Sequence, residues 1–193
     1  NNCVVTNQWE FPRPSKEGGK RLDLVYLING IPMAIGETKT VVKPSVTWAD
    51  GAIDIVHYQK SVPEMFVPNI LSFATEGKEL QYGSIGCTVD KWGPWFASEE
   101  RNHGTLADVE NNAISLLEPS RLLDIYRFYT VFSGGDGGRK IKIVCRYQQY
   151  FHLFSCKGLD QSLSVRADTH LEQMAFFQIH ILHKCFSICI IRV

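Results

Sequence analysis

Two apolar runs meet at Asn29-Gly30 in "RLDLVYLINGIPMAIGETKT", residues 21–40, and no other feature of the 193-residue chain restricts the fold as much. Asn and Gly both tolerate positive φ, so this pair between apolar runs specifies a tight β-hairpin. The hairpin nevertheless carries Asp23, Glu37 and Lys39 among residues suited to a core. Buried carboxylates are costly to desolvate unpaired, and two side by side repel. Side chains alternate faces along a strand, so the length of the turn decides whether the acids share a face. A strict two-residue turn pairs Ile28 with Ile31, sets Asp23 opposite Gly36 and sends Glu37 to the other face. A three-residue loop, Ile28 to Gly30 with a glycine bulge, pairs Leu27 with Ile31 and Asp23 with Ile35. Glu37 is then the diagonal neighbour of Asp23 on one face, about 7–8 Å away at Cα, and Lys39 lies one step further. The odd-length loop is the expected one, because it brings the three ionisable groups together.

Such a group has a chemical use. A hard cation such as Mg²⁺ takes carboxylate oxygens and keeps waters, which removes the repulsion between two acids. An ammonium beside it can hold a water or stabilise charge that develops on phosphorus oxygens. Asp23, Glu37 and Lys39 together suit metal-assisted phosphodiester hydrolysis. The plainer alternative is a salt bridge from Asp23 to Lys39, with Glu37 at a solvated strand end.

Apolar content of 45% and charged content of 21% are those of a globular protein with a core. Lys plus Arg equals Asp plus Glu, so the formal net charge is zero. That argues against tight, solitary nucleic-acid binding, though not against a local basic patch or help from partner subunits. The cysteines (Cys3, Cys87, Cys145, Cys156, Cys185, Cys189) lack CxxC spacing. Reduced thiols in a cytosolic protein are expected, and a zinc site built from Cys185 and Cys189 with His180 or His183 is disfavoured. Residues 176–193 are apolar but include His180, His183, Lys184 and Arg192, too polar for a membrane span.

Along the chain, a short strand is expected near Cys3–Thr6, then a Pro- and Gly-containing loop to residue 20. After the hairpin, a helix runs from Thr47 to about Ser61, capped by Thr47 or Ser45 and ended by Pro63. "NILSFAT" and "ELQYGSI" flank "EGK" as a second hairpin. "DKWGPWF" reads as an aromatic loop, and residues 105–131 as two helices divided near Glu118-Pro119. "SGGDGG" is a turn, and "KIKIV" alternates as a strand. This organisation assigns residues 1–150 to one domain and 151–193 to a tail of different character. His57 is expected at the surface, Trp92 and Trp95 packed over the sheet edge, and Arg139, Lys140, Lys142 and Arg146 as solvated charges.

The hairpin, followed by "WADGAIDIVHYQKSVPEMFVPNILSFATEGKELQYGSI" and "WGPW", resembles the N-terminal nuclease domain of the R subunit (HsdR) of type I restriction enzymes. The likeness runs from about Val5 to Phe151 and ends in "GRKIKIVCRYQQYF". It implies an α/β PD-(D/E)XK restriction-endonuclease-like fold, a mixed sheet flanked by helices, that cuts double-stranded DNA with Mg²⁺. By this likeness Asp23, Glu37 and Lys39 are the catalytic aspartate, glutamate and lysine. Asp23 and Glu37 would ligate the metal, with the backbone carbonyl of Thr38 assisting. Tyr58 matches the tyrosine of the family's Gln-x-x-x-Tyr motif, whose helix the likeness implies is on the DNA side; the residue at its glutamine position would orient Tyr58 or, as a carboxylate that repels phosphate, approach DNA only weakly. Asp54 stands where glutamine is expected, on the same helix face. A core role for the Tyr58 ring stays open.

The likeness also implies methylation (M) and specificity (S) subunits as partners, and a bacterial or archaeal cytoplasmic setting. The family continues into an ATP-driven translocase, but this chain has no GK[ST] phosphate loop, so ATP has no site here. The chain lacks the family's longer N-terminal portion, and a truncated or frame-shifted product with a non-homologous tail is expected. The rival expectation is a catalytically inactive truncated module that only packs against partner subunits or DNA.

Overall fold

The computed structural model describes residues 1–11, 19–134 and 140–151. The chain divides into two units, Asn1–Tyr150 and Phe151–Val193. The description concerns the first. The expectations about the tail, including a zinc site and a frame shift, fall outside the described residues.

Strands β1 (Cys3–Phe11), β2 (Lys20–Ile28), β3 (Ile31–Thr38), β4 (Leu71–Thr75), β5 (Leu80–Ser84) and β6 (Gly93–Pro94) form a sheet in that order. All neighbours are antiparallel except β3 and β4. A parallel pair needs a crossover, and here helix α1 (Trp48–Ser61) supplies it together with a 3-10 turn at Pro63–Phe66. The result is the α/β mixed sheet with flanking helices expected of a PD-(D/E)XK-like fold.

Helix α1 starts where its sequence says. Thr47 caps it by accepting from the Ala49 amide at 3.3 Å, and Asp50 completes a capping box by accepting from the Thr47 amide at 2.8 Å. Its inner face presents Gly51, Ala52 and Ile55 to a core that includes Leu22, Val25, Ile35, Met65, Phe66 and Ala74. Helices α2 (Leu106–Leu117) and α3 (Pro119–Phe128) break at Glu118-Pro119 as expected. They enclose Trp95, which is fully buried. Its indole donates to Ser115 Oγ at 3.1 Å, and its ring meets Tyr82 and Tyr150 at centroid distances of 5.7 Å. Trp92 is also buried, so both tryptophans pack rather than offering faces to bases.

Several elements differ from the sequence reading. β1 is longer than Cys3–Thr6, because pairing to β2 carries it to Phe11. The helical region ends at Phe128, and Thr130–Gly134 forms β7, which pairs with β8 (Lys140–Val144) in a separate ribbon. Within "DKWGPWF", Gly93–Pro94 adds a two-residue edge strand to β5. Lys142 and Arg146 are not merely solvated charges. Lys142 Nζ donates to the carbonyls of Val67 at 2.7 Å and Asn69 at 2.5 Å, and more weakly to that of Phe66 at 3.4 Å. Arg146 donates to the Lys91 carbonyl at 2.5 Å.

Candidate active site

The hairpin turn corrects the expected odd-length loop. Ile28 pairs with Ile31 across a two-residue turn, and Asn29 and Gly30 have φ of 53° and 79°. Both positive values are what a type I′ turn demands. The extra residue enters β3 instead. Leu27 pairs with Pro32 but Tyr26 pairs with Ala34, so Met33 forms a bulge. Beyond it, Val25 faces Ile35 and Leu24 faces Gly36. The next position in that register sets Asp23 directly across from Glu37, not Ile35. The acids share a face for a different reason than turn length, and they stand closer than diagonal neighbours.

Each acid is held by its own set of contacts. Asp23 Oδ2 accepts from the Thr38 amide at 3.0 Å and from the Thr38 hydroxyl at 2.9 Å, while Oδ1 accepts from Gln8 Nε2 at 3.1 Å. Glu37 is buried, with its side chain 6% exposed. Its Oε1 accepts from Lys39 Nζ at 3.0 Å, whereas Oε2 is buried with no hydrogen-bond partner. Lys39 Nζ also reaches Asp54 Oδ2 at 2.5 Å. The plainer salt bridge from Asp23 to Lys39 is therefore not what forms. The ammonium bridges Glu37 on β3 to Asp54 on α1, and Glu37 does not lie at a solvated strand end.

The electrostatics follow from this packing. Burial pushes the Glu37 carboxyl above its ordinary value. The Lys39 hydrogen bond opposes that shift, and the Asp23 charge reinforces it. Burial alone would lower the Lys39 pKa, but its bonds to Asp54 and Glu37 prevail and raise it. Tyr58, four residues after Asp54, is pushed up to about 12, by burial first and then by the charges of Glu37 and Asp54. Its ring packs against the core beneath α1. His57 is exposed.

The donor set suits a small hard cation. An orphaned buried oxygen on Glu37 lies on the face that Asp23 shares, and two carboxylates with backbone or water oxygens are a usual Mg²⁺ set. Among the described residues no three His, Cys, Asp or Glu side chains are grouped as a metal cage. Gln8 was missed at the sequence level, since nothing local to it signals a partner on β2. Among the described residues no helix is long and apolar enough to cross a membrane.

Residues 1–86 match the family model for the type I restriction enzyme R protein N terminus. The HindI endonuclease subunit of a type I restriction enzyme from Haemophilus influenzae is 28% identical over 156 residues, covering 78% of this chain and 15% of that protein. A protein named as the MjaIXP endonuclease subunit of such an enzyme in Methanocaldococcus jannaschii is 31% identical over 112 residues, covering 58% of this chain and 11% of that protein. The chain thus spans a small part of the length of the curated relatives it matches. The region that folds the hairpin, α1 and the second hairpin is the part of the chain that is similar to the N terminus of type I restriction enzyme R proteins.

Proposed function

We propose that the first unit is the nuclease domain of a type I restriction R subunit and hydrolyses phosphodiester bonds of double-stranded DNA with Mg²⁺. One observation carries this reading. Asp23 and Glu37 face each other across adjacent strands, the buried Oε2 of Glu37 has no partner, and an ammonium lies 3.0 Å from the same carboxylate. A buried polar atom without a partner costs about 1–3 kcal/mol, a cost that a cation bound to Glu37 Oε2 would remove. Asp23 and Glu37 would hold the ion, with the Thr38 carbonyl as a further oxygen. Mg²⁺ bound there would activate water and neutralise charge developing at phosphorus.

The chain's own residues do the rest. Thr38 and Gln8 fix the Asp23 carboxylate. Lys39, which its bonds to Asp54 and Glu37 keep protonated against the pull of burial, supplies positive charge beside Glu37. It can move from Glu37 toward a phosphate oxygen while Asp54 retains its other contact. Asp54 then takes a role that a glutamine in the family motif could fill only as a neutral partner. Tyr58 stays protonated at working pH and can donate a hydrogen bond toward the backbone of DNA. Sequence recognition would come from the M and S subunits, and translocation from the ATP-driven part of longer relatives.

The test is nicking of supercoiled DNA by purified protein with Mg²⁺ or Mn²⁺. Asp23→Ala, Glu37→Ala and Lys39→Ala should each abolish nicking while melting cooperatively. Millimolar metal should raise the wild-type melting temperature by mass action and leave that of Glu37→Ala unmoved. Nicking retained in Glu37→Ala and Lys39→Ala would sink the enzyme reading. A wild type that neither nicks nor responds to metal would favour the inactive module.

A further inference from the structure

Gln8 stands across from Asp23 on the edge strand of the sheet. The pairs Asn7–Leu24 and Trp9–Leu22 bracket it, yet Gln8 leaves strand geometry with a φ of 51°. Left-handed backbone is unfavourable for a residue with a Cβ, and glutamine has no short side chain to offset it locally. The departure is accompanied by a hydrogen bond, from Gln8 Nε2 to Asp23 Oδ1 at 3.1 Å. The other oxygen of the carboxylate is taken by the amide and hydroxyl of Thr38. Asp23 is therefore gripped from both sides, by a side chain of β1 and by the end of β3. Unfavourable backbone of this kind persists where the surroundings over-determine it, and it gathers at functional sites.

We propose that Gln8 is a positioning residue that holds the Asp23 carboxylate in the orientation facing Glu37. Gln8 touches no reacting atom and acts through Asp23. The inference rests on the reading of Asp23 as a metal ligand, but the grip itself can be measured without metal.

The experiment uses the full chain and two variants. Gln8→Gly removes the side-chain amide and relieves the left-handed backbone. Gln8→Ala removes the amide and keeps the unfavourable φ. Three quantities are read: melting temperature, hydrogen exchange of the Thr38 amide by NMR without metal, and the Mg²⁺ concentration that half-saturates the rise in melting temperature. Gln8→Gly should be at least as stable as wild type, yet its Thr38 amide should exchange several-fold faster. Its half-saturating Mg²⁺ should rise roughly tenfold or more, as for loss of other groups that orient a ligand. Thr38 exchange unchanged in both variants overturns the proposal. Equal losses of stability in both variants, with Thr38 tracking the global change, also overturn it by marking an ordinary strand contact. Faster Thr38 exchange in a protein whose wild type ignores Mg²⁺ supports the grip and overturns the nuclease reading instead.

Discussion

Glu37 answers to opposing demands, and the balance has a sign. Its pKa is higher in the fold than the ordinary value, chiefly through burial. A carboxyl raised in this way contributes stability that is fully present below its ordinary value and is lost as pH rises through the folded value. At neutral pH the ionised side chain therefore works against the fold. Glu37→Gln should raise the melting temperature by a few degrees at neutral pH and leave little gain in acid, while nicking disappears. Thermal melts across that pH range check it, and a destabilised glutamine variant at neutral pH would contradict it. Asp54→Asn acts on Lys39. The pair is partly exposed, with Asp54 40% exposed, so stability should change by less than about 1 kcal/mol. The Lys39 pKa should fall, and the alkaline limb of the nicking rate should move to lower pH. At this scale the nearness of Asp23, Glu37 and Lys39 was legible, because the alternation of side chains along a hairpin leaves a local signature. Gln8 was not, because its partner is set by pairing between strands.

Elements show why the acids meet. The Asn29-Gly30 turn was legible and its length was not. A β-bulge has no reliable sequence mark, and Met33 reads as an ordinary core residue. α1, with its capping box, and the hairpin of β4 and β5 follow from periodicity and turn chemistry. The first residues of β7, Thr130 and Val131, were read as helix because Tyr129 ends α3 with no glycine to signal a stop, and its end was read as part of the turn. The approach of α1 to the sheet depends on Gly51. A Cβ there would lie 3.2 Å from Ala74 Cβ and 3.3 Å from Glu37 Cγ. Alanine normally gains about 1 kcal/mol over glycine inside a helix. Gly51→Ala should gain less than that, or lose stability, and should lower both nicking and the metal-induced rise in melting temperature by pressing on Glu37. A full helical gain with unchanged nicking would show that α1 can shift without disturbing the acid.

Within the first unit, polar contacts join the β7–β8 ribbon and the segment after it to the sheet and its connections. Tyr82 Oη donates to the Cys145 carbonyl at 2.6 Å, 63 residues away along the chain. Lys142 reaches carbonyls at the end of the 3-10 turn and just after it. Lys142→Met should cost about 1–3 kcal/mol, since carbonyls would be left without a donor, and denaturant melts would measure it. No sequence pattern announced this join, because a lysine on an alternating strand looks the same whether it meets water or backbone. The Lys142 ammonium is met by peptide dipoles rather than by a carboxylate, so added electrolyte has no close ion pair there to screen. Lys39 and Asp54 do form such a pair, with Asp54 midway along α1 and partly exposed. Concentrated sodium chloride should therefore loosen the contact between helix and active strand before it loosens the seam between ribbon and sheet.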